Sequence, residues 1–290
     1  MNRKRLFTSR QEVPLNICVI VDEERKANQL IIKDLKQLLS KKCNFMTLNV
    51  PVLPDSRAFS QDEPDSLAHI YLLKSHMPRA LEVARQLEAR GACVINSWAA
   101  TLACQDRVQM FGRMKAAQIP VPDTWSLDRF AYGLNADLLS SLPFPVVVKN
   151  RYAYESCSVD KVENVETFMR LAHYWSAEPV VVQQYVANDG WDTKIWVIDG
   201  HLFAAKRRSP LNAGEQDQFQ LAPEELGGDA KRIALEVGKI FGLHIYDVDL
   251  LMSEQGPIVI DVNPFPGFRG LFGPEETLAA FIERRLNSDF

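Results

Sequence analysis

The chain lacks a cysteine framework: five cysteines are scattered through it with no CxxC pair. An odd, dispersed set excludes a disulfide scaffold and a thiolate zinc site, and it points to a reducing cytoplasm. Basic surplus is also missing, since the formal net charge is −4. That argues against a nucleic-acid partner, which demands clustered cations to meet backbone phosphates. Long apolar runs are absent as well. The segment Leu15–Val21, which follows a polar and basic stretch, is too short for a membrane span or a signal peptide, so a membrane partner is not expected. The five histidines show no metal-ligand spacing. His76 follows a strand where a substrate could approach, but the sequence favours a surface or capping histidine.

Hydrophobic residues make up 47% and charged residues 24% of 290 positions, an ordinary globular balance in a chain too long for one core. Leu15–Val21 reads as a buried strand and Ala27–Leu39 as a helix. Strands at 45–52, 70–73 and 92–95 and a helix over 78–90 stopped by Gly91 complete an alternation. It predicts a mostly parallel α/β lobe over residues 1–100. A central lobe over 101–186 holds a helix from Asp106 to Ala117, a strand ending in Lys149, a helix at 165–176 and a strand at 179–186. The remainder, 187–290, looks antiparallel. Strands at 194–198 and 202–206 flank an Asp199-Gly200 turn, and a helix over 230–241 precedes strands at 245–252 and 257–262. The fold class is therefore α/β, with α+β character in the C-terminal half.

The chemistry concentrates near the C-terminus. Asp261 and Asn263 lie two residues apart on one strand and so share a face. A hairpin of suitable register would set Asp249 beside them. Two carboxylates and an amide oxygen form a hard donor set suited to Mg²⁺ or Mn²⁺ on nucleotide phosphates. Two solvated acids at strand ends would produce the same spacing. The turn that follows, Pro264-Phe-Pro-Gly267-Phe-Arg-Gly270, could bring backbone amides close to a ligand.

Val248-Asp-Leu-Leu with Val259-Ile-Asp-Val-Asn-Pro-Phe-Pro-Gly-Phe resembles the closing motif of the ATP-grasp superfamily, and the likeness over residues 70–275 is nearest to RimK-like ligases. The resemblance implies an ATP-grasp fold, with an N-terminal lobe preceding two lobes that clasp ATP. Lys149 and Arg107 stand where the family carries its phosphate-binding cations, an arginine replacing the usual lysine in the second case. Gln183, Gln184, Tyr185 and Val186 resemble the hinge that pairs with adenine. Asp192 and Lys206 resemble nucleotide-site positions, and Arg208 and Arg269 are candidates for gripping a substrate carboxylate or an acyl phosphate. The loop after Lys149 lacks the family's glycines, and Ser156 is the residue there placed to bond phosphate.

The implied reaction is ATP-dependent amide or peptide bond formation through an acyl phosphate, on a small-molecule amino acid or peptide. A homo-oligomer is compatible with the resemblance. A second reading is a small-molecule kinase of the inositol polyphosphate kinase type, whose motif also reads Asp-x-Asn before Phe-Pro-Gly and an aromatic. A third is a nucleotide-binding protein without catalysis, which the complete metal set argues against.

Overall fold

The computed structural model describes residues 14–50, 67–132, 134–153, 159–175, 178–211 and 217–289. The N-terminal lobe comprises β1 (Leu15–Val21), α1 (Glu24–Ala27), α2 (Leu30–Leu39), β2 (Cys43–Asn49), β3 (Ile70–Leu73), α3 (Pro78–Ala89), β4 (Val94–Ile95) and α4 (Trp98–Leu102). Its sheet runs β2-β1-β3-β4, all parallel, as the alternation predicts. Next come α5 (Arg107–Ala116), β5 (Thr124–Leu127), α6 (Ala136–Ser141), β6 (Val146–Asn150), β7 (Val159–Val162), α7 (Val165–Tyr174) and β8 (Val180–Gln184). The strands here form an antiparallel sheet of order β5-β8-β6-β7.

The last part contains β9 (Trp191–Ile198), β10 (His201–Arg208), β11 (Gln218–Leu221), α8 (Gly228–Phe241), β12 (Ile245–Ser253), β13 (Gly256–Pro264) and α9 (Pro274–Asp289). Its sheet is β11-β10-β9-β12-β13, antiparallel throughout. The β9–β10 turn is built at Asp199 and Gly200, both with positive φ (47° and 84°), which the Asp-Gly pair tolerates. Gly242 ends α8 in the left-handed region at φ 70°, where glycine has no Cβ to clash.

Period-two alternation divides the work of this C-terminal sheet. Ile195, Val197, Ala204, Val248, Leu250, Val259 and Val262 face α8 and form one core with it. Met110, Phe111 and Met114 of α5 join that core. The helix expected to open the central lobe therefore packs on the C-terminal one, because its apolar stripe meets α8. The central sheet has its own core of Phe130, Phe168, Val180 and Val182. On the opposite face of the C-terminal sheet, Trp196, Ile198, Ala205 and Ile245 share a core with β1, α2 and α9. Buried Asn96 ties the two lobes by donating to the Ile245 carbonyl and accepting from the His244 and Ile245 amides.

Among the described residues, no helix is long and apolar enough to cross a membrane. Gly238 lets α8 approach β12: a Cβ built there would lie 2.0 Å from the Tyr246 hydroxyl oxygen, which donates to the Ala234 carbonyl. Gly238→Ala should lower stability by about 1–3 kcal/mol through this overlap, despite the roughly 1 kcal/mol that alanine gains in a helix. Thermal unfolding measures it, and a higher Tm would contradict the packing argument.

Candidate active site

Beyond Trp196, Ile198, Ala205 and Ile245, the face of the C-terminal sheet turned away from α8 carries charge where the α8 face carries valine and isoleucine. Asp192 and Lys194 come from β9, Arg207 from β10, Asp247 and Asp249 from β12, and Asp261 and Asn263 from β13. The register sets Asp249 opposite Asp261 and Asp247 opposite Asn263. The expected metal set is thus brought together by a hairpin.

The acids do not lie without positive partners. Buried Lys194 reaches Asp247 at 2.7 Å and Asp249 at 2.9 Å. Burial lowers the Lys194 pKa, but these two carboxylates outweigh it and hold the ammonium above its ordinary range. Burial raises the pKa of Asp247. Arg107 forms a 2.7 Å ion pair with Asp261 and donates to the Asn150 carbonyl at 2.9 Å. Burial pushes the Asp261 pKa up, and the Arg107 and Lys149 charges bring it below the usual carboxylate value. In this structure Arg107 therefore meets a carboxylate where the sequence reading assigned it to phosphate.

The donor chemistry fits a hard cation. Asn263 donates its amide nitrogen to Asp247 at 2.8 Å, which commits the nitrogen and leaves the amide oxygen outside that bond. Asp249 uses Oδ1 for Lys194, while Oδ2 stands 3.9 Å from Arg207. Asp261 uses Oδ2 for Arg107, and Oδ1 accepts from the Val262 amide at 3.2 Å. Each of the three keeps one oxygen out of its principal ion pair or side-chain hydrogen bond, as Mg²⁺ requires of ligands shared with phosphates. No group of three His, Cys, Asp or Glu side chains suited to a metal occurs among the described residues. A cation here would depend on the Asn263 oxygen and on ligand oxygens.

A β-bulge adds a further feature. The β12–β13 register shifts between Asp249 and Leu250, leaving Ile260 without a cross-strand partner. Its carbonyl accepts from Lys149 at 3.0 Å, across from the central sheet. Burial depresses the Lys149 pKa to about 8. Between the two sheets lies a cleft. Val147, Leu251 and Ile260 supply apolar wall, Gln184–Val186 one end, and Lys149, Asp192, Arg207, Asp249 and Asp261 the charged end. The amides of Gln184 and Tyr185 are bonded to the Asp123 and Pro145 carbonyls, and Val186 carries the next backbone amide at this end of the cleft. Gln183 lines the cleft, but its side chain donates to Thr124 at 3.1 Å. Asp192 is buried, and desolvation, then the Asp249 charge, raise its pKa to about 6.

A second, wider cleft adjoins the first. Arg207 and Asp261 line both, and Arg269 lies at the second. The alternation of β10 corrects two expectations. Lys206 and Arg208 sit on the face opposite Arg207: Lys206 pairs with Asp189 at 3.1 Å, and Arg208 lies over the Trp191 ring. Neither lines either cleft. Arg207 is the basic residue that the strand aims at the acids. Ser156 lies outside the described residues.

A model of the RimK-like ATP-grasp domain matches residues 116–280. The chain belongs to the RimK-like ATP-grasp family. Human beta-citrylglutamate synthase B is 28% identical over 198 residues, which cover 65% of this chain and 51% of that protein. A probable alpha-L-glutamate ligase from a Marinomonas species is 28% identical over 209 residues, 65% of each chain. The chain thus spans between half and two thirds of the length of these curated relatives. Among solved structures, D-alanine–D-alanine ligase from Bacillus anthracis complexed with ATP superposes with a TM-score of 0.72 at 17% identity, over 96% of this chain and 97% of that one. A RimK-domain ATP-grasp protein from Sphaerobacter thermophilus gives 0.69 at 20% identity, over 94% and 100%. At these identities the structures establish the ATP-grasp fold.

Two outcomes follow for ADP binding measured by calorimetry. Arg207→Ala should weaken ADP by about tenfold or more, as loss of a charge-assisted contact does, while Arg208→Ala should stay within about twofold. Equal losses would remove the facing argument. Lys149 is charged below its pKa of about 8, and bound phosphates favour that charged form. Affinity should therefore be full below pH 8 and fall by up to about tenfold per pH unit above it. In Lys149→Arg the fall should disappear.

Proposed function

We propose that the chain is an ATP-dependent carboxylate–amine ligase that forms an amide or peptide bond through an acyl phosphate, releasing ADP and phosphate. The observation that carries this reading is the junction of the two clefts. Arg207 and Asp261 line both, so a nucleotide lying in the narrow cleft, base at Gln184–Val186, would end its phosphates where the wide cleft begins. A carboxylate in the wide cleft then meets the terminal phosphoryl group.

Mg²⁺ bound to Asp249, Asp261 and Asn263 would supply charge neutralisation on the phosphates. The rest falls to the chain. Val186 would meet the adenine edge, with the walls of Val147, Leu251 and Ile260 excluding water from the base. Lys149 and Arg207 would hold phosphate oxygens, and Arg107 would join them on leaving Asp261. Arg269, at the rim of the wide cleft, is placed for the substrate carboxylate. Phosphoryl transfer of this kind needs positioning and electrostatics, and no covalent enzyme intermediate.

The substrate class is a small-molecule amino acid or peptide. The relatives named above are a synthase and a ligase, and the kinase reading has no counterpart among them. Phosphate release with Mg²⁺ should need both an acid and an amine; ADP formed together with a phosphorylated hydroxyl compound would replace the ligase by the kinase. Asp261→Asn and Asn263→Ala should each reduce turnover at least about a hundredfold with ordinary folding by circular dichroism. Activity near wild type in both would displace the metal assignment.

A further inference from the structure

Where the narrow and wide clefts meet, the described charges cancel without any ion. Asp192, Asp247, Asp249 and Asp261 stand against Lys149, Lys194, Arg107 and Arg207. Lys194 answers Asp247 and Asp249, and Arg207 stands 3.9 Å from both Asp192 and Asp249. Asp261 is held by Arg107 at 2.7 Å. A cation arriving alone meets no surplus of negative charge at this junction. It would have to take Asp261 from a guanidinium that is itself buried, and stripping a buried charge of its partner is strongly unfavourable.

The backbone at Arg107 is anchored, so any change of partner falls to its side chain. Its amide donates to the Arg151 carbonyl at 3.0 Å. Its neighbour Asp106 caps α5 by accepting from the Val108 amide at 3.0 Å, and it pairs with Arg151 at 2.8 Å. The guanidinium reaches across the narrow cleft's two walls, from the Asn150 carbonyl at the end of β6 to Asp261 on β13. Phosphates entering that cleft arrive beside this bridge. They offer a guanidinium a forked anion like the one it leaves, and they bring the negative charge that the junction lacks. Asp261 then regains the Oδ2 that Arg107 holds.

We propose that Arg107 is an internal counter-ion of Asp261 that keeps divalent metal off the site until nucleotide phosphates draw the guanidinium away. The protein therefore takes its metal with or after the nucleotide and never before it. This order rests on the metal assignment to Asp249, Asp261 and Asn263 made above, and it is tested without turnover.

The test is Mn²⁺ binding to the full chain at neutral pH, read by water-proton relaxation. Without nucleotide, Arg107→Met should bind Mn²⁺ at least about tenfold more tightly than the wild type, since one opposing charge at short range is gone. Arg107→Lys, which keeps the charge, should stay at the wild-type level. Adding Asp261→Asn to Arg107→Met should abolish the gain, which places it at Asp261. A second arm uses the wild type and decides the matter where Arg107→Met does not fold. ADP should raise its affinity for Mn²⁺ above that of ADP in free solution, whereas adenosine, which has no phosphates, should leave it unchanged. Nucleotide-free wild type that binds Mn²⁺ as tightly as Arg107→Met, equal gains in Arg107→Met and Arg107→Lys, or adenosine equal to ADP would each overturn the proposal. ADP-dependent binding indifferent to Asp261→Asn would remove the metal assignment itself. Binding that depends on Asp261 but is as tight without nucleotide would keep the assignment and sink the counter-ion.

Discussion

Lys194 is the side chain on which the site's geometry depends. Its ammonium sits within 2.9 Å of both Asp247 and Asp249, on a sheet face where water is largely excluded. Three charges buried together are stable only as a set, and removing one member of such a group costs about 3–5 kcal/mol. The constraint propagates. Asp249 is held at one oxygen, and Asp247 holds the Asn263 amide nitrogen at 2.8 Å. The orientation of Asp249 and Asn263 thereby follows from one lysine two positions along from Asp192, while Arg107 holds Asp261. Dipoles and charges fixed before a ligand arrives need no reorganisation during reaction, which is the main source of electrostatic catalysis.

The same four strands make core against α8 on one face and carry the chemistry on the other, beside Trp196, Ile198, Ala205 and Ile245, so fold and site draw on one alternation. Val248 and Leu250 are fully buried against α8, and this packing fixes the pleat that aims Asp247 and Asp249 the other way. The bulge at Ile260 is the one break in that pattern, and it turns a ladder carbonyl toward Lys149. The N-terminal lobe closes the far side by capturing the carbonyls of the turn after Asn263. His76 takes Pro264 and Lys74 takes Phe265 and Pro266, while Trp196 of the C-terminal sheet takes Gly267 at 2.7 Å. A turn whose carbonyls are satisfied inward holds its shape without regular secondary structure. The wide cleft is consequently walled by rigid groups from separate parts of the chain.

What could be read from the sequence was local. The strands of Asp249 and Asp261 carry a strong alternating pattern and a short turn, so their pairing was legible, and with it the expected donor set. The strand that ends at Gln184 and the place of Lys149 near the end of β6 were legible by order along the chain. The failure at β10 has a definite cause. Ala204 and Ala205 are both buried, one against α8 and the other against the α9 side. With small apolar residues on both faces, the strand gives no sign of which parity points to the cleft. Lys206-Arg207-Arg208 therefore read as a basic run, and only the pairing of Arg207 with Asp192 singles out its middle member. The placement of α5 was illegible for a related reason: an apolar stripe states that a helix must be covered and does not name the partner. Nothing in the sequence marks Lys26 and Lys74 for burial; that place exists only in the assembled fold, where 191 residues separate Lys74 from the Phe265 carbonyl that it holds.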